Sequence, residues 1–225
     1  SRHKSGENSG HWCGVPDHSA EPYIQKRLDA GHKVAVCEQM EDPAIAKGVV
    51  KREVVRVITP GTVTAAEALD ARGNNFLAAV CKGQNAFGLA LTDITTGEFR
   101  FTATADETEL LDELGRIRPS ELLLPGRAGR LRERLYKEYP LIHFTVVADE
   151  TFSDAAQERV SRENADLLQR FAEGARAASA IVSYLESNAA ESLCLLRLLQ
   201  PYTVAHHLIL DESTRTNLEL LVNYQ

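Results

Sequence analysis

The run from Phe76 to Pro125 restricts the possible folds more than any other part of the chain. Three apolar segments, FLAAVC, AFGLALTDI and EFRFT, are separated only by a turn at Gly83–Asn85 and a Thr-Thr-Gly turn. Connections that short hold consecutive strands side by side and antiparallel, so the three form a meander. The period then changes from two to 3.6. Leu110, Leu111, Leu114 and Ile117 share one helical face, and the acidic DETE at its start suits the positive end of a helix dipole. Arg118-Pro119 ends this helix, because a residue before proline is pushed out of the helical region. ELLLP follows as a short buried strand, GRLRERLYKEY as a basic helix-like run, and LIHFTVV as a further strand.

Three strands, a helix, a strand, a helix and a strand is the order of the ribonuclease-H-like fold, an α/β architecture. A longer helix is predicted from near Asp154 towards Ser187, interrupted at Gly174. Phe171, Ala175, Ala178, Val182 and Leu185 step by fours and threes along its apolar seam. Pro201 breaks the next helical stretch. LILDESTRTNLELL starts another, with Leu218, Leu221 and Val222 facing inward.

Upstream the pattern differs. SRHKSGENSGHWCGVPDHSAE is polar and punctuated by glycine, which reads as a loop. A helix then begins with Ser19 as its N-cap and Pro22 in its first turn, and Gly31 is placed to end it. KVAVCE and EVVRVIT are two strands whose Val and Ile occupy both parities, which predicts burial on both faces. MEDPAIAKG joins them, and Pro60-Gly61 stops the second with strong turn chemistry. The expected division is a small mixed α/β domain over 1–64, a linker over 65–74, the ribonuclease-H-like domain over 75–187, and the start of a helical domain over 188–225. Both ends fall inside patterns, so a fragment of a longer protein is expected.

Charge separates the same parts. The formal net charge of −7 argues against a chain that coats nucleic acid by electrostatics alone. Up to Thr64 there are 9 Lys+Arg against 8 Asp+Glu, and after it 16 against 24. Nucleic-acid contact therefore belongs to the first part, and the second has the acidic surface of an interaction module. Cys13, Cys37, Cys81 and Cys194 lie far apart and read as reduced thiols. No apolar run approaches the ~18 residues of a membrane span, so a soluble cytoplasmic protein is expected.

Candidate chemistry is sparse. His11, Cys13 and His18, with Cys37 as a distant fourth ligand, match no zinc spacing. Gly83 and Gly88 have the gap of a phosphate loop, but Leu89 and Ala90 stand where lysine and a hydroxyl are needed. Asp93, near a strand end, is the one residue that invites a metal-dependent nuclease reading on this fold, although TDITTG is also ordinary Asp turn chemistry. His206-His207 diverge on either regular element. Arg127, Arg130, Arg132 and Arg134, beside Glu133 and Glu138, read as a solvated face. No catalytic, cofactor-binding or metal-ligating residue is assigned. Trp12 lies in a polar loop with Arg2, His3, Lys4 and His11, a combination able to contact a nucleic-acid backbone and stack on a base. A tryptophan folded back over the domain edge is the alternative.

The wording itself adds more. CGVPDHSAEPYIQKRLDAGHKVAVCEQMEDPAIAKGVVKREVVRVITPGT, Cys13 to Thr62, resembles the mismatch-recognition domain of the MutS family of bacterial DNA mismatch-repair proteins. NNFLAAV, FGLALTDITTGEFR and PSELLLP resemble the family's connector domain, and LILDESTRTNLEL the beginning of its helical core. The resemblance implies a parent protein that binds mispaired or looped double-stranded DNA as a homodimer. It also implies ATP hydrolysis with Mg and recruitment of a MutL-type partner through the connector. The family's Phe-x-Glu mismatch reader precedes the Cys-Gly-Val-Pro loop, and its ATPase follows the core, so the chain itself is expected to be no enzyme. The resemblance places Arg2, Lys4 and Trp12 beside the DNA. Two departures stand in that loop: Trp12 where methionine is expected, and Asp17 where an aromatic residue or histidine is commoner.

Overall fold

A computed structural model describes residues 20–41, 50–64, 75–159 and 165–204. The first unit is a helix, α1 (Glu21–Asp29), against a two-stranded antiparallel ribbon, β1 (Val34–Gln39) and β2 (Arg52–Ile58). Register runs from Val34↔Ile58 to Gln39↔Arg52, with a shift between Val36 and Cys37. Helix α1 has Ala20 at its N-cap with no side-chain cap, and Pro22 falls in its first turn, where the missing N–H is not needed. Ser19, expected as the cap, lies outside the described residues. Gly31 ends the helix in the left-handed region at φ 76°, as expected.

The expected burial of both ribbon faces is not found. Leu28, Ile58 and Val63 form a small core with Ile24, Val34 and Val36 around it, while Val54 and Val55 remain 57% and 45% exposed. A strand is buried on both faces only when a layer covers each, and among the described residues α1 covers one.

The second unit is a six-stranded mixed sheet. Strands β3 (Phe76–Lys82), β4 (Phe87–Asp93) and β5 (Glu98–Thr104) make the antiparallel meander. Helix α2 (Glu107–Ile117) then crosses to β6 (Glu121–Pro125), which pairs parallel with β3. Helix α3 (Gly129–Glu138) leads to β7 (His143–Val147), parallel to β6. The order β5-β4-β3-β6-β7 with this mix of directions is the ribonuclease-H-like arrangement, as the sequence order predicts.

Local chemistry explains the elements. Asp106 caps α2 by accepting from the Glu109 amide at 2.9 Å, and the Glu109 carboxylate accepts from the Ala105 amide at 2.8 Å. Such a cap contributes about 1 kcal/mol. Arg118 takes the left-handed conformation at φ 49° and ends the helix before Pro119. The interior strands are apolar at nearly every position because both sheet faces are covered. Phe76, Ala78, Val80, Leu89, Leu91, Leu122 and Leu124 pack under α2 and α3. Leu77, Ala79, Cys81, Ala90, Phe99, Phe101 and Leu123 pack under the long helix of the other face.

The helical stretch expected from Asp154 divides differently. A 3-10 turn covers Ala155–Arg159, α4 covers Ala165–Arg170, and α5 runs unbroken over Ala172–Asn188. The break falls at Phe171, whose ring packs edge-on against Phe101 at 6.4 Å, and Gly174 lies within α5. Gly174 serves close approach instead of interruption: a Cβ there would fall on the Thr102 carbonyl, and one at Gly88 on the Glu173 carbonyl. Helix and sheet backbones therefore touch. Beyond α5 a 3-10 turn (Ala190–Leu195) leads to a two-residue strand, β8 (Gln200–Pro201), that joins the edge of the sheet beside β5. This strand was not expected from the sequence pattern.

Candidate functional site at the joint between the two sheets

Strand β2 ends in Thr59-Pro60-Gly61-Thr62, and this turn is the part of the first unit most deeply seated in the second. The Thr62 amide donates to the Thr59 carbonyl at 3.0 Å, and the Thr59 amide donates to Thr62 Oγ1 at 2.8 Å. Both threonines are fully buried. A Cβ at Gly61 would lie 2.9 Å from the Glu121 Cβ and from Leu77 Cδ1, side chains of register partners on β6 and β3. Only glycine fits the turn against the sheet there. Asn75 holds the other side, its Nδ2 donating to the Pro60 carbonyl at 3.0 Å.

The turn delivers two donors to Glu121, the first residue of β6, which is 0% exposed. Glu121 Oε2 accepts from Thr59 Oγ1 at 2.5 Å and from the Gly61 amide at 3.0 Å. Its Oε1 accepts from Thr145 Oγ1 on β7 at 2.6 Å and from the Tyr184 hydroxyl on α5 at 2.8 Å. Lys33, just before β1, lies 4.0 Å from Oε1, donates to the Tyr184 oxygen at 3.1 Å, and sits 5.2 Å from the centre of that ring. Every partner is a donor, which matches a carboxylate that can only accept. Burial, then the Glu121 charge, pushes the Tyr184 hydroxyl far above its ordinary range, so it remains a proton donor.

Arg56 on β2 extends the joint, donating to the Thr62 carbonyl at 3.3 Å and pairing with Glu191 at 3.1 Å, in the turn after α5. Hydrogen bonds to a charged group contribute roughly 1.5–3 kcal/mol each, so this cluster holds the two units firmly. The Thr59, Thr145 and Tyr184 hydroxyls all donate to Glu121, and the Glu191 carboxylate lies at the edge of the cluster with Arg56. The arrangement fixes the position of the turn against the sheet.

A second buried carboxylate lies on the opposite face of the sheet. Glu113 on α2 is 3% exposed and binds the Arg116 guanidinium through both oxygens, at 2.8 and 2.5 Å. It also accepts from the Tyr202 hydroxyl at 3.0 Å. The Tyr202 amide donates to the Phe101 carbonyl at 2.9 Å, and Arg100 lies 5.6 Å from the Tyr202 ring. Glu113 thus fastens the segment that leaves the sheet at β8.

The residues singled out from the sequence fall as follows. Arg2, Lys4 and Trp12 lie outside the described residues, as do His11, Cys13, His18, His206 and His207. Cys37 is exposed, and no metal-sized group of three His, Cys, Asp or Glu occurs among the described residues. Asp93 makes a turn: its Oδ1 accepts from the Thr95 amide at 2.9 Å and hydroxyl at 2.6 Å. Asp93 is buried, its Oδ2 has no hydrogen-bond partner, and no group of three His, Cys, Asp or Glu that could hold a metal occurs among the described residues. Gly83 and Gly88 flank the β3–β4 turn, and Gly88 lies against α5, so they form no phosphate cradle. In the arginine run, Arg127 pairs with Asp149 and Arg134 with Glu107, as a solvated face would. The tripeptide Phe171-Ala172-Glu173 has the Phe-x-Glu wording, but Phe171 is a core residue, 5% exposed. Glu121 and Glu113 were not among the residues singled out. Their only signal in the sequence is a carboxylate opening the apolar ELLLP and another on the apolar side of α2.

Comparison with known proteins gives concordant matches. Residues 1–67 match the family model MutS domain I, and residues 75–197 match MutS domain II. The whole chain aligns at 42% identity with a DNA mismatch repair protein MutS of Desulforapulum autotrophicum, over 27% of that protein. Proteins of the same description from Desulfitobacterium hafniense and Acetivibrio thermocellus are 42% and 38% identical over 92% of the chain, and over 23% and 25% of their own lengths. The chain spans about a quarter of the length of the curated relatives it matches.

Proposed function

The chain belongs to the MutS family of DNA mismatch repair proteins, and from that premise we propose that it is the segment that places a DNA-sensing domain on a connector. In this reading residues 1–64 touch mispaired or looped double-stranded DNA, with Arg2, Lys4 and Trp12 at the contact, and 65–74 is the linker. The connector begins at residue 75 and, with β8, is carried past 187 to at least Pro201; a helical core follows. The longer protein acts as a cytoplasmic homodimer that hydrolyses ATP with Mg and recruits a MutL-type partner through the connector. ATP and Mg belong to other domains, and no step of that hydrolysis is assigned to these residues. The chain itself acts by binding and transmission, without turnover.

The observation that supports this reading is the Glu121 joint, which ties the DNA-side unit to the connector through buried charge-assisted bonds. The test is made in the full-length protein. Arg2→Ala and Lys4→Ala should weaken binding to mismatched and matched duplexes alike. Each should also flatten the salt dependence by about one unit for every phosphate no longer neutralised. Trp12→Ala should reduce the mismatched-over-matched ratio. Unchanged affinity and salt slope in all three variants would remove these residues from the interface.

A further inference from the structure

We propose that Glu121 is a positioning residue that fixes α1 and the β1–β2 ribbon to the six-stranded sheet as one rigid body. The inference goes beyond DNA recognition, because it concerns how the chain moves and stands whether or not DNA is bound.

The linkage converges from five places in the chain. From the first unit come the Thr59 hydroxyl, the Gly61 amide and the Lys33 ammonium; from the second come Thr145 on β7 and Tyr184 on α5. Glu121 is 0% exposed, so water cannot replace a partner that moves away without opening the joint. A tilt of the first unit would leave a buried carboxylate oxygen short of two donors and withdraw its nearest cation. Lys33 is 39% exposed and reaches inward along the Tyr184 ring, so the cation that balances the buried charge is held by the opposite unit. Gly61 removes the remaining slack: a Cβ there would lie 2.9 Å from the side chains of Leu77 and Glu121, too close to fit. A second bond on the same side, Arg56 to Glu191, joins β2 to the turn after α5. Against this, the ribbon has few other holds among the described residues, since four of the seven positions of β2 are exposed. Positioning therefore falls on this cluster and not on a broad apolar interface.

The test measures distance distributions in the full chain between spin labels on Cys37, exposed on β1, and on Leu141→Cys, at a 98% exposed position beside β7. Cys13 and Cys194 are changed to serine, and Cys81 is buried. The parent should give one narrow distance. Glu121→Gln should broaden it and add a second population. Removal of one charge-assisted bond should raise the open fraction by roughly tenfold or more. Because that variant alters the connector, the double variant Lys33→Met with Thr59→Val changes only the first unit. It should broaden the distance while hydrogen exchange in β3, β4 and β5 stays slow. Glu113→Gln, on the other sheet face, should leave the distance narrow. A broad distance in the parent, or a narrow one in the double variant, would overturn the proposal. The measurement contains no DNA, so failure of the DNA-contact reading leaves its outcome intact.

Discussion

Two buried carboxylates, Glu121 and Glu113, hold the two ends of the connector by different means. Around Glu121 the partners are hydroxyls and an amide delivered by separate elements, with Lys33 at 4.0 Å. Around Glu113 the charge is matched locally by Arg116, three residues on along the same helix, and among the described residues only Tyr202 arrives from elsewhere. Arg116 is itself 61% exposed, so Glu113 would keep most of its compensation if the departing segment moved. Glu121 would not. Burial of a charge is a strong tie only when its partners come from the piece to be tied, and a weak one when they come from its own helix.

The largest expected effect is on equilibrium stability. Glu121→Ala leaves the Thr59, Thr145 and Tyr184 hydroxyls and the Gly61 amide without an acceptor in a closed site. It should cost about 3 kcal/mol or more in urea unfolding. Glu113→Ala releases an Arg116 that reaches water and one Tyr202 bond, and should cost about 1 kcal/mol. Equal losses would erase the distinction between the two ties.

A smaller effect appears in alkali. Tyr184 and Tyr202 are both shifted upward, first by burial and then by the carboxylate beside each, and burial pushes Tyr139 up to about 12 from an ordinary value of 10.0. A raised folded value means that the native state keeps a proton the unfolded chain releases. The stabilisation is therefore complete below about pH 10 and declines as pH rises through the folded values. Unfolding midpoints should fall from about pH 10 upward, and Tyr184→Phe and Tyr202→Phe should each shallow that decline. A flat profile to about pH 12 would show the hydroxyls to be freely hydrated.

The smallest effect concerns thiols of the two units. Cys37 is exposed on β1, whereas Cys81 is buried, donates to the Glu173 carbonyl at 3.2 Å, and is pushed up to about 12 by burial. A thiol reagent at about pH 8 should modify Cys37 within minutes and spare Cys81 until the sheet unfolds. Equal labelling rates would mean that the α5 layer opens readily.

Legibility followed the range of the interactions. The meander, α2 with its Asp106 cap and Arg118 stop, and the order of strands are local events, readable from period and punctuation. The ribbon was misjudged because Val54 and Val55 carry the β-branched composition of a buried strand, while burial depends on layers that composition does not specify. Strand β8 was unreadable because it is two residues long and contains Pro201. The Glu121 joint was unreadable for a different reason. Its donors stand 62, 60, 24 and 63 residues away, and a lone glutamate before three leucines carries no mark of them. The Thr-Pro-Gly-Thr turn was recognisable as a turn, but its role as the donor half of a joint was not.

That spacing sets an order of events during synthesis. The Thr59 and Gly61 donors leave the ribosome about sixty residues ahead of their acceptor, and the Tyr184 hydroxyl follows the acceptor by 63 more. At roughly 5–20 residues per second, Glu121 waits several seconds in water for the helix that will cover it. The ribbon can form early but cannot be seated until α5 exists. The joint can close only once α5 has been made, so the first unit acquires its place after five of the sheet's six strands exist.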